Sequence, residues 1–352
     1  MKRIKTIPIL LMMLSGAAAS AHDFTMTVDG QKLYFNIRSD KNKTVELTYK
    51  GSIADNTPTC FAGELTVPEK VRHNEVVYTV TAISPKAFSN ADSLTGIILP
   101  SSIKYIGDFA FEGCTSLSKV IFPGTEVKFG DGVFFKCDKI RSLGFGSDWK
   151  HIDFKMFRWS DSLKVVNIPA KVEQIRNIKS LKHLECIKVD DNNAKYASVD
   201  GILYDKELVT LYACPRALKG KVKISQDTKK VYAGAFYDCN NVVIMDVPES
   251  LESISFREFS RMTALKEIVL RSATPVLTAT FYGAGCMLFQ VANPDVKIIV
   301  PKKALPAYRS AIATRAGEYS EIGDRMPYIV HQDELPELSD LVGVKNFVKY
   351  DK

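Results

Sequence analysis

The chain has 352 residues, of which 46% are hydrophobic and 25% are charged, and its formal net charge is +7. This length allows a large hydrophobic core. A single domain, built as one continuous array of the sequence repeats described below, is favoured over two separate domains. The mild charge and the lack of a recognisable nucleic-acid-binding motif argue against nucleic acid as a partner.

Residues 1–21 have the pattern of a Sec-type signal peptide. Three basic residues among the first five precede the apolar run Ile7–Leu14, and Ala19–Ala21 matches the small-x-small cleavage pattern. The apolar run is too short to span a bilayer as a helix. We therefore expect an exported protein that begins at His22, with a net charge reduced from +7 to +4 and no transmembrane segment in the mature chain.

Residues 22–80 are predicted to form a β-rich amino-terminal cap that covers the open edge of the first repeat. The dipeptide Asp29-Gly30 between two alternating apolar segments indicates a β-hairpin. A second hairpin is predicted around Arg72–Asn74, between the last two strands of the cap. The predicted cap strands are Phe24–Val28, Lys32–Ile37, Val45–Tyr49, Glu64–Val67 and Glu75–Val80.

A repeat of 23 residues organises the chain from residue 81 to residue 271. Ser101–Pro123 is one unit, and its apolar positions recur at the same step on both sides. One unit is too small to bury these residues alone, so roughly eight units must stack as the coils of a solenoid. The recurring positions include Ile83, Ile106, Phe129, Ile152 and Ile175, and also Phe88, Phe111, Phe134 and Phe157.

Each unit is predicted to supply one short strand to a parallel stack. In Ser101–Pro123, alternate side chains of Leu117–Phe122 point inward, and Pro123 ends the strand because it lacks an N–H group. Gly107 is predicted to allow a tight bend. Phe109–Phe111 is predicted to form a single helical turn whose aromatic ring fills the coil.

The regular 23-residue spacing of the apolar positions is interrupted in the second half of the chain. Asp190–Asn193 interrupts the array and is followed by a longer coil. Residues 272–330 are predicted to form an irregular carboxyl-terminal cap that contains the strand Lys297–Val300 and a short helix from Ala304. Residues 331–352 are predicted to be a polar tail.

The repeat resembles the BspA-type leucine-rich repeat of secreted and surface proteins from host-associated bacteria. Ser101–Pro123 follows the pattern I-x-x-I-G-x-x-A-F-x-G-C-x-S-L-x-x-I-x-L-P. Tyr196–Pro215 resembles the longer coil of that family, and Lys297–Ala311 resembles its closing segment. The resemblance implies a β-rich leucine-rich repeat solenoid of the α/β horseshoe class, built of short parallel strands stacked coil on coil.

Motifs for catalysis, cofactor binding or metal binding are absent from the sequence, so we expect neither an enzyme nor a cofactor. Asp190–Asn193 could hold a hard cation through oxygen ligands, or it could be a solvated loop between coils. The basic run between Arg216 and Lys230 could attract anionic glycans, or it could keep the edge of the solenoid soluble. The five histidines are scattered at His22, His73, His151, His183 and His331.

Three of the seven cysteines occupy one position of the repeat. Cys114, Cys137 and Cys239 share this position with Ala91, Ser160 and Met262, so the site requires a small or apolar side chain. Free buried cysteine meets that requirement. The alternative is a disulfide bond between Cys114 and Cys137 on neighbouring coils.

The outward residues of the repeat strands form the candidate binding surface. They lie two and four positions after the leading leucine of each strand, and they are more apolar than a purely solvated face requires. The competing explanation is that apolar residues at these positions reflect β-propensity alone. The candidate residues are Ile98, Lys119, Ile121, Val165, Asn167, Lys188, Tyr212 and Ile244.

Two functional hypotheses follow. The first is an exported, monomeric, non-enzymatic protein, secreted or at the cell surface, that binds a protein or glycan ligand. The family resemblance implies that this binding serves adhesion to host matrix or to other bacteria. The second is a periplasmic or envelope scaffold that binds a bacterial partner and has no role at the host.

Overall fold

The computed structural model describes residues 22–50, 61–122, 126–259, 261–278, 296–308, 310 and 328–331. The predicted signal peptide and the polar tail beyond residue 331 lie outside the described residues. No helix in the described part of the chain is long and apolar enough to cross a membrane.

Short β-strands make up most of the regular secondary structure in the described residues. Those of the cap and the first coils are β1 (Phe24–Val28), β2 (Gln31–Ser39), β3 (Thr44–Thr48), β4 (Ala62–Thr66), β5 (Lys70–His73), β6 (Val76–Ile83), β7 (Ser93–Ile98), β8 (Tyr105–Ile106), β9 (Lys119–Phe122), β10 (Lys128–Phe129), β11 (Ser142–Phe145), β12 (His151–Asp153), β13 (Val165–Ile168), β14 (Gln174–Arg176) and β15 (Cys186–Val189). Those of the second half are β16 (Tyr196–Val199), β17 (Ile202–Asp205), β18 (Thr210–Ala213), β19 (Gly220–Lys223), β20 (Lys230–Val231), β21 (Val242–Val247), β22 (Ile254–Ser255), β23 (Glu267–Leu270), β24 (Leu277–Thr278), β25 (Lys297–Val300) and β26 (Tyr328–His331). In the described ranges, 3-10 helices span Phe154–Phe157, Ile178–Ser180, Phe256–Phe259 and Lys302–Ala304.

One strand of the cap and one strand from each of five successive coils form a parallel six-stranded sheet in the order β4-β7-β9-β11-β13-β15. The pairing follows the repeat, since Ile97 lies opposite Val120 and Leu143 lies opposite Val166. Equivalent residues of neighbouring coils therefore form straight columns across the sheet. The predicted solenoid of stacked parallel strands is confirmed.

The return side of each coil forms a second series of sheets. The cap strands continue into the first coils in the order β1-β2-β3-β6-β8-β10, with β5 paired to β6. Shorter sheets follow along the chain: β12-β14, then β16-β17-β18-β20, and then β22-β24. The cap thus joins the solenoid through backbone hydrogen bonds rather than through side-chain contacts alone.

The cap contains one hairpin that was predicted correctly and one that was not. β1 and β2 pair around Asp29-Gly30, whose φ angles are 48° and 77°. The prediction that Glu64–Val67 pairs with Glu75–Val80 is wrong, because β4 pairs in parallel with β7 of the first coil. The hairpin partner of β6 is β5, and the two left-handed residues Asn74-Glu75 make the connecting turn.

A column of stacked phenylalanine rings runs through the first part of the core. Phe88 and Phe111 stack with centroids 4.9 Å apart at 7°, Phe111 and Phe134 at 5.5 Å, and Phe134 and Phe157 at 5.0 Å. Phe61 of the cap packs at 5.0 Å from Phe88 and ends the column. Because the four repeat rings are fully buried, the prediction that an aromatic ring fills the coil is confirmed for these four coils.

The segments that carry these rings form the turn row, defined as residues 84–92, 107–115, 130–138 and 153–161. Neighbouring members are joined by backbone hydrogen bonds, as from Phe88 N to Ala110 O at 2.8 Å. The first three segments are hydrogen-bonded turns, and a 3-10 helix occurs from Phe154. Glycine at position 107 allows the backbone to pack closely against Pro85 of the preceding coil, which is a different role from the predicted bend. A Cβ atom at Gly107 would lie 2.4 Å from Pro85 N.

The hairpin β16–β17 divides the hydrophobic core into two clusters. Leu203 packs in the first cluster, whereas Ile202 and Tyr204 pack in the second. The turn of the hairpin closes the edge of β15, because Ile187 N donates to Gly201 O at 3.0 Å. The six-stranded sheet therefore ends at the interruption that the sequence predicts.

Beyond the hairpin, the chain forms a five-stranded sheet in the order β19-β21-β23-β25-β26. The predicted strand Lys297–Val300 is present as β25, and β26 pairs with it on its outer side. A 3-10 helix at Lys302–Ala304 is followed by the α-helical residues 305–308 and 310, where the sequence predicts a short helix.

The repeat-position cysteines are free and buried, as expected. The thiol of Cys114 donates to Phe88 O at 3.1 Å, and that of Cys137 donates to Phe111 O at 3.0 Å. Burial raises the pKa of the Cys137 thiol well above its ordinary value. Cys60 and Cys286 lie outside the described residues.

The aromatic column makes Phe111→Ala strongly destabilising. The substitution removes a fully buried ring between two stacked neighbours, so we expect a loss of about 4 kcal/mol in the free energy of unfolding. Chemical denaturation followed by circular dichroism measures the loss. The control is Phe135→Ala, which removes a half-buried ring of the next coil and is expected to cost about 1 kcal/mol. Equal costs would contradict the role of the column.

Candidate binding surface

The outward side of the six-stranded sheet, here called the strand face, carries six of the eight predicted residues. The register places them in two adjacent columns, because outward residues lie two positions apart along each strand. The register puts these six residues on one face, and their role in binding stays a prediction. They are Ile98, Lys119, Ile121, Val165, Asn167 and Lys188.

Tyr212 and Ile244 lie elsewhere, so their placement on this face was wrong. Tyr212 belongs to β18 on the return side, where its ring contacts Tyr196 and Tyr232 at 5.8 Å each. Ile244 belongs to the five-stranded sheet, opposite Lys221. Counting along the sequence assigned the repeat strand to β18, but β19 occupies that place in the coil.

The half of the strand face nearest the cap is apolar and electrically balanced. Ile98 lies opposite Ile121, which is 37% exposed. Beside them, the ammonium group of Lys119 lies 3.0 and 3.1 Å from the two carboxylate oxygens of Glu64. This pair spans two strands because Gly96 between them has no side chain. The charge of Lys119 is therefore offset within the face.

An open position separates this apolar half from the rest of the face. Gly144 follows Ile121 in the same column, and no atom lies within 4 Å of where its Cβ would be. A groove of about 420 Å³ begins here and runs over the carboxyl-terminal ends of β11, β13 and β15. Its walls combine apolar and polar residues, which are Phe145, Ser147, Asn167, Ile168, Pro169, Ala170, Lys188, Val189 and Asp190.

The far side of the groove presents hydrogen-bonding groups. Asn167 and Lys188 lie opposite each other on β13 and β15, and both side chains are exposed. Asp190 extends this polar edge, and its Oδ1 accepts a hydrogen bond from Asn192 N at 2.9 Å. This turn fixes the carboxylate at the rim. The groove thus offers an amide, an ammonium group and a carboxylate beside apolar walls.

Asn193, at the end of the predicted cation segment, has a structural role. Its buried side-chain amide donates to Pro169 O at 2.8 Å and to Val172 O at 3.0 Å, while its Oδ1 accepts from Lys195 N and Tyr196 N. Asn193 therefore ties the loop to the preceding coil. In the described part of the chain, no group of three or more His, Cys, Asp or Glu residues is placed to hold a metal ion.

The five-stranded sheet differs because an ion-paired carboxylate seals part of its outward side. Asp246 is only 1% exposed, with Lys221 Nζ at 3.1 Å and Arg271 Nε at 2.7 Å. Burial alone would raise the pKa of Asp246, but hydrogen bonds from Arg271 and Lys221 outweigh it and lower the pKa below its ordinary value of 3.8. The outward side of the five-stranded sheet is therefore covered by ion-paired side chains at Asp246, whereas the strand face has an open position at Gly144.

Two members of the predicted basic run have acidic partners. Lys221 pairs with Asp246 as described above, and Arg216 lies 3.5 Å from Asp238. The guanidinium group of Arg216 also lies 5.0 Å from the ring of Tyr237. These contacts give both residues a role in holding neighbouring coils together.

The fold and the strand face define a leucine-rich-repeat solenoid protein. The chain belongs to the family described as BspA type leucine rich repeat region, whose sequence profile matches six copies over residues 74–195 and 213–299, more than half of the chain. The unmatched interval contains the dividing hairpin β16–β17. No curated protein matches the chain.

Several solved structures are similar to this chain. The pneumococcal vaccine antigen PcpA is 16% identical, over 82% of this chain and 96% of that one, with a TM-score of 0.49. A leucine-rich repeat protein from Eubacterium ventriosum is 20% identical, over 80% and 79%, with a TM-score of 0.47. A leucine-rich cell surface protein from Faecalibacterium prausnitzii is 17% identical, over 92% and 99%, with a TM-score of 0.38.

The Asp246 ion pairs predict acid-sensitive stability. Because the pKa of Asp246 is lowered in the folded state, its contribution is present above pH 3.8 and is lost as the pH falls through the folded-state pKa. We expect Asp246→Asn to cost about 3 kcal/mol at pH 7, since Lys221 and Arg271 lose their partner but are partly exposed. Urea denaturation at pH 7 and pH 3 measures this cost.

The same measurement compares Asp246→Asn with Asp227→Asn, which changes an exposed carboxylate. Asp246→Asn is expected to lose less of its remaining stability between pH 7 and pH 3 than the wild type. Equal costs for the two variants at pH 7 would show that the ion pairs contribute nothing.

Proposed function

We propose that the protein is an exported, non-enzymatic binding protein that recognises a protein or glycan ligand through the strand face. We propose further that it acts at the cell surface, in adhesion or host interaction. One observation carries the proposal: Gly144 leaves an open position between the apolar pair Ile98–Ile121 and the polar pair Asn167–Lys188.

The chemistry of this surface suits recognition. Binding sites combine apolar contact area with a few polar groups that fix the orientation of the ligand. Here Ile121 provides exposed apolar area, while Asn167 and Lys188 provide hydrogen-bonding groups on the opposite side of the opening. All three are carried by hydrogen-bonded parallel strands, so their spacing is set before a ligand arrives.

The location at the cell surface is supported by the sequence and by the family. Residues 1–21 have the three regions of a signal peptide, and the chain belongs to the BspA-type repeat family. Stacked repeats build extended surfaces that commonly serve binding. Export followed by display would place the strand face in contact with host or bacterial ligands.

Gly144→Phe tests the strand face directly. The backbone at Gly144 is outside the left-handed region and its Cβ position is open, so the ring should fill the groove without disturbing the fold. The wild type is expected to bind at least one probe from a panel of fibronectin, laminin, collagen and a glycan array. The variant is expected to bind that probe at least about tenfold more weakly, which corresponds to about 1.4 kcal/mol. Surface plasmon resonance measures the affinity.

A second variant and a matched control complete this experiment. Ile121→Glu places a charge on the apolar half of the strand face, whereas Val77→Glu makes the same kind of change at an exposed residue of the cap. Ile121→Glu is expected to weaken binding and Val77→Glu to leave it unchanged, at similar melting temperatures. Wild-type affinity in both Gly144→Phe and Ile121→Glu would disprove binding by the strand face, as would a wild-type protein that binds no member of the panel.

A further inference from the structure

Three aromatic side chains meet on the surface of the turn row. The rings of Phe109 and Trp159 stack at 5.9 Å with an angle of 4°, and both contact Phe135 edge-on, at 6.2 and 6.5 Å. Trp159 is 52% exposed, while Phe109 and Phe135 are half-buried. We call these three residues the aromatic platform.

Gly132 makes the platform possible. It lies beneath two of the rings, where a Cβ atom would be 2.8 Å from Phe109 Cε1 and 3.3 Å from Trp159 Cε3. Its φ angle of 57° is also in the left-handed region, which favours glycine. Phe109 and Trp159 come from different coils, and they stack only because the coil between them has no side chain at this point.

The coil architecture does not require aromatic rings at these positions. Trp159 has a φ angle of 64°, and earlier coils place Asn90, Gly113 and Lys136 at its position in the repeat. Asparagine and glycine adopt this backbone more readily than a bulky aromatic residue does. Phe109 has a φ angle of 55° at the position that Gly132 holds in the next coil. Strained positions of this kind concentrate at functional sites.

Polar groups at the edge of the platform can reach the hydroxyl groups of a ligand. Arg158 Nη1 donates to Asp131 Oδ2 at 2.9 Å, and the guanidinium group lies 5.6 Å from the Trp159 ring. Both side chains remain about 40% exposed, so donors and acceptors stand beside the rings with opposite charges that offset each other. This arrangement suits an uncharged polar ligand better than an ionic one.

We propose that the aromatic platform binds a neutral, β-linked glucopyranose chain. A pyranose with equatorial hydroxyl groups has an apolar face of axial C–H bonds, which can lie flat on the exposed Trp159 ring. Its hydroxyl groups then point sideways, where Asp131 and Arg158 can exchange hydrogen bonds with them. The site is on the turn row and shares no residue with the strand face, so either site can be lost without the other.

The experiment uses cellohexaose and chitohexaose as probes, with the mature protein titrated by intrinsic fluorescence and calorimetry. The chain has two tryptophans, and Trp149 is only 1% exposed. Stacking of a sugar on Trp159 is therefore expected to shift the emission saturably, with the same affinity that calorimetry gives.

Trp159→Asn tests the assignment with little risk to the fold, because asparagine occupies this position at Asn90. We expect binding to weaken at least about tenfold in calorimetry, with a melting temperature equal to or above that of the wild type. Tyr237→Asn removes another exposed ring, 43% exposed, and is expected to bind both sugars normally. Gly144→Phe is also expected to bind them normally.

Two outcomes would overturn the proposal. One is that neither sugar binds the wild type saturably, which would leave the platform to a ligand of another class. The other is that Trp159→Asn binds as tightly as the wild type. If Trp159→Asn is unstable, Phe135→Ala replaces it, because that variant keeps the reporting tryptophan and removes one ring of the platform.

Discussion

Stacking of one phenylalanine ring per coil is the constraint on which the rest of the structure depends. The column from Phe88 to Phe157 holds each ring about 5 Å from the next, which matches the spacing of hydrogen-bonded strands. Packing in the core and hydrogen bonding in the six-stranded sheet therefore reinforce each other at the same step. Because the inward residues form the core contacts that stabilise the coils, the outward residues of the same strands are free to vary. The chemical properties of the strand face depend on these outward residues.

Much of the fold could be predicted because buried positions recur at a constant step. The solenoid, the column of rings and six of the eight surface residues all follow from that step, and the dipeptide Asp29-Gly30 predicts the first hairpin. The constant step gave the wrong assignment at β18 and β19. Both are short strands near the position that the step assigns to the repeat strand, and only their pairing in the structure shows which of them is the repeat strand. The hairpin predicted for β4 was also wrong, because the partner of this strand is β7, which is distant in sequence. The aromatic platform went unrecognised, although the sequence holds one clue: Trp159 stands where the three earlier coils have asparagine, glycine and lysine.

The two strand surfaces of the solenoid have different physical characters. On the six-stranded sheet, Gly144 leaves an opening beside exposed Ile121. On the five-stranded sheet, Asp246 is buried under two cations that clamp neighbouring strands. The hairpin β16–β17 stands between them and contributes side chains to both core clusters. The first half of the solenoid therefore carries an open outward surface, whereas ion pairs between strands stabilise the outward side of the second half.

The central claim, that the strand face is presented to ligands at the cell surface, is tested most directly by labelling it in place. Ser142→Cys puts a thiol on an exposed position of β11, whereas Cys114, Cys137, Cys214 and Cys239 are buried and Cys186 on β15 is half-buried. Intact source cells expressing this variant or the wild type would be treated with a membrane-impermeant maleimide before and after lysis. The account predicts labelling of the variant on intact cells, well above the wild type. Labelling that appears only after lysis would contradict it and would indicate an internal scaffold.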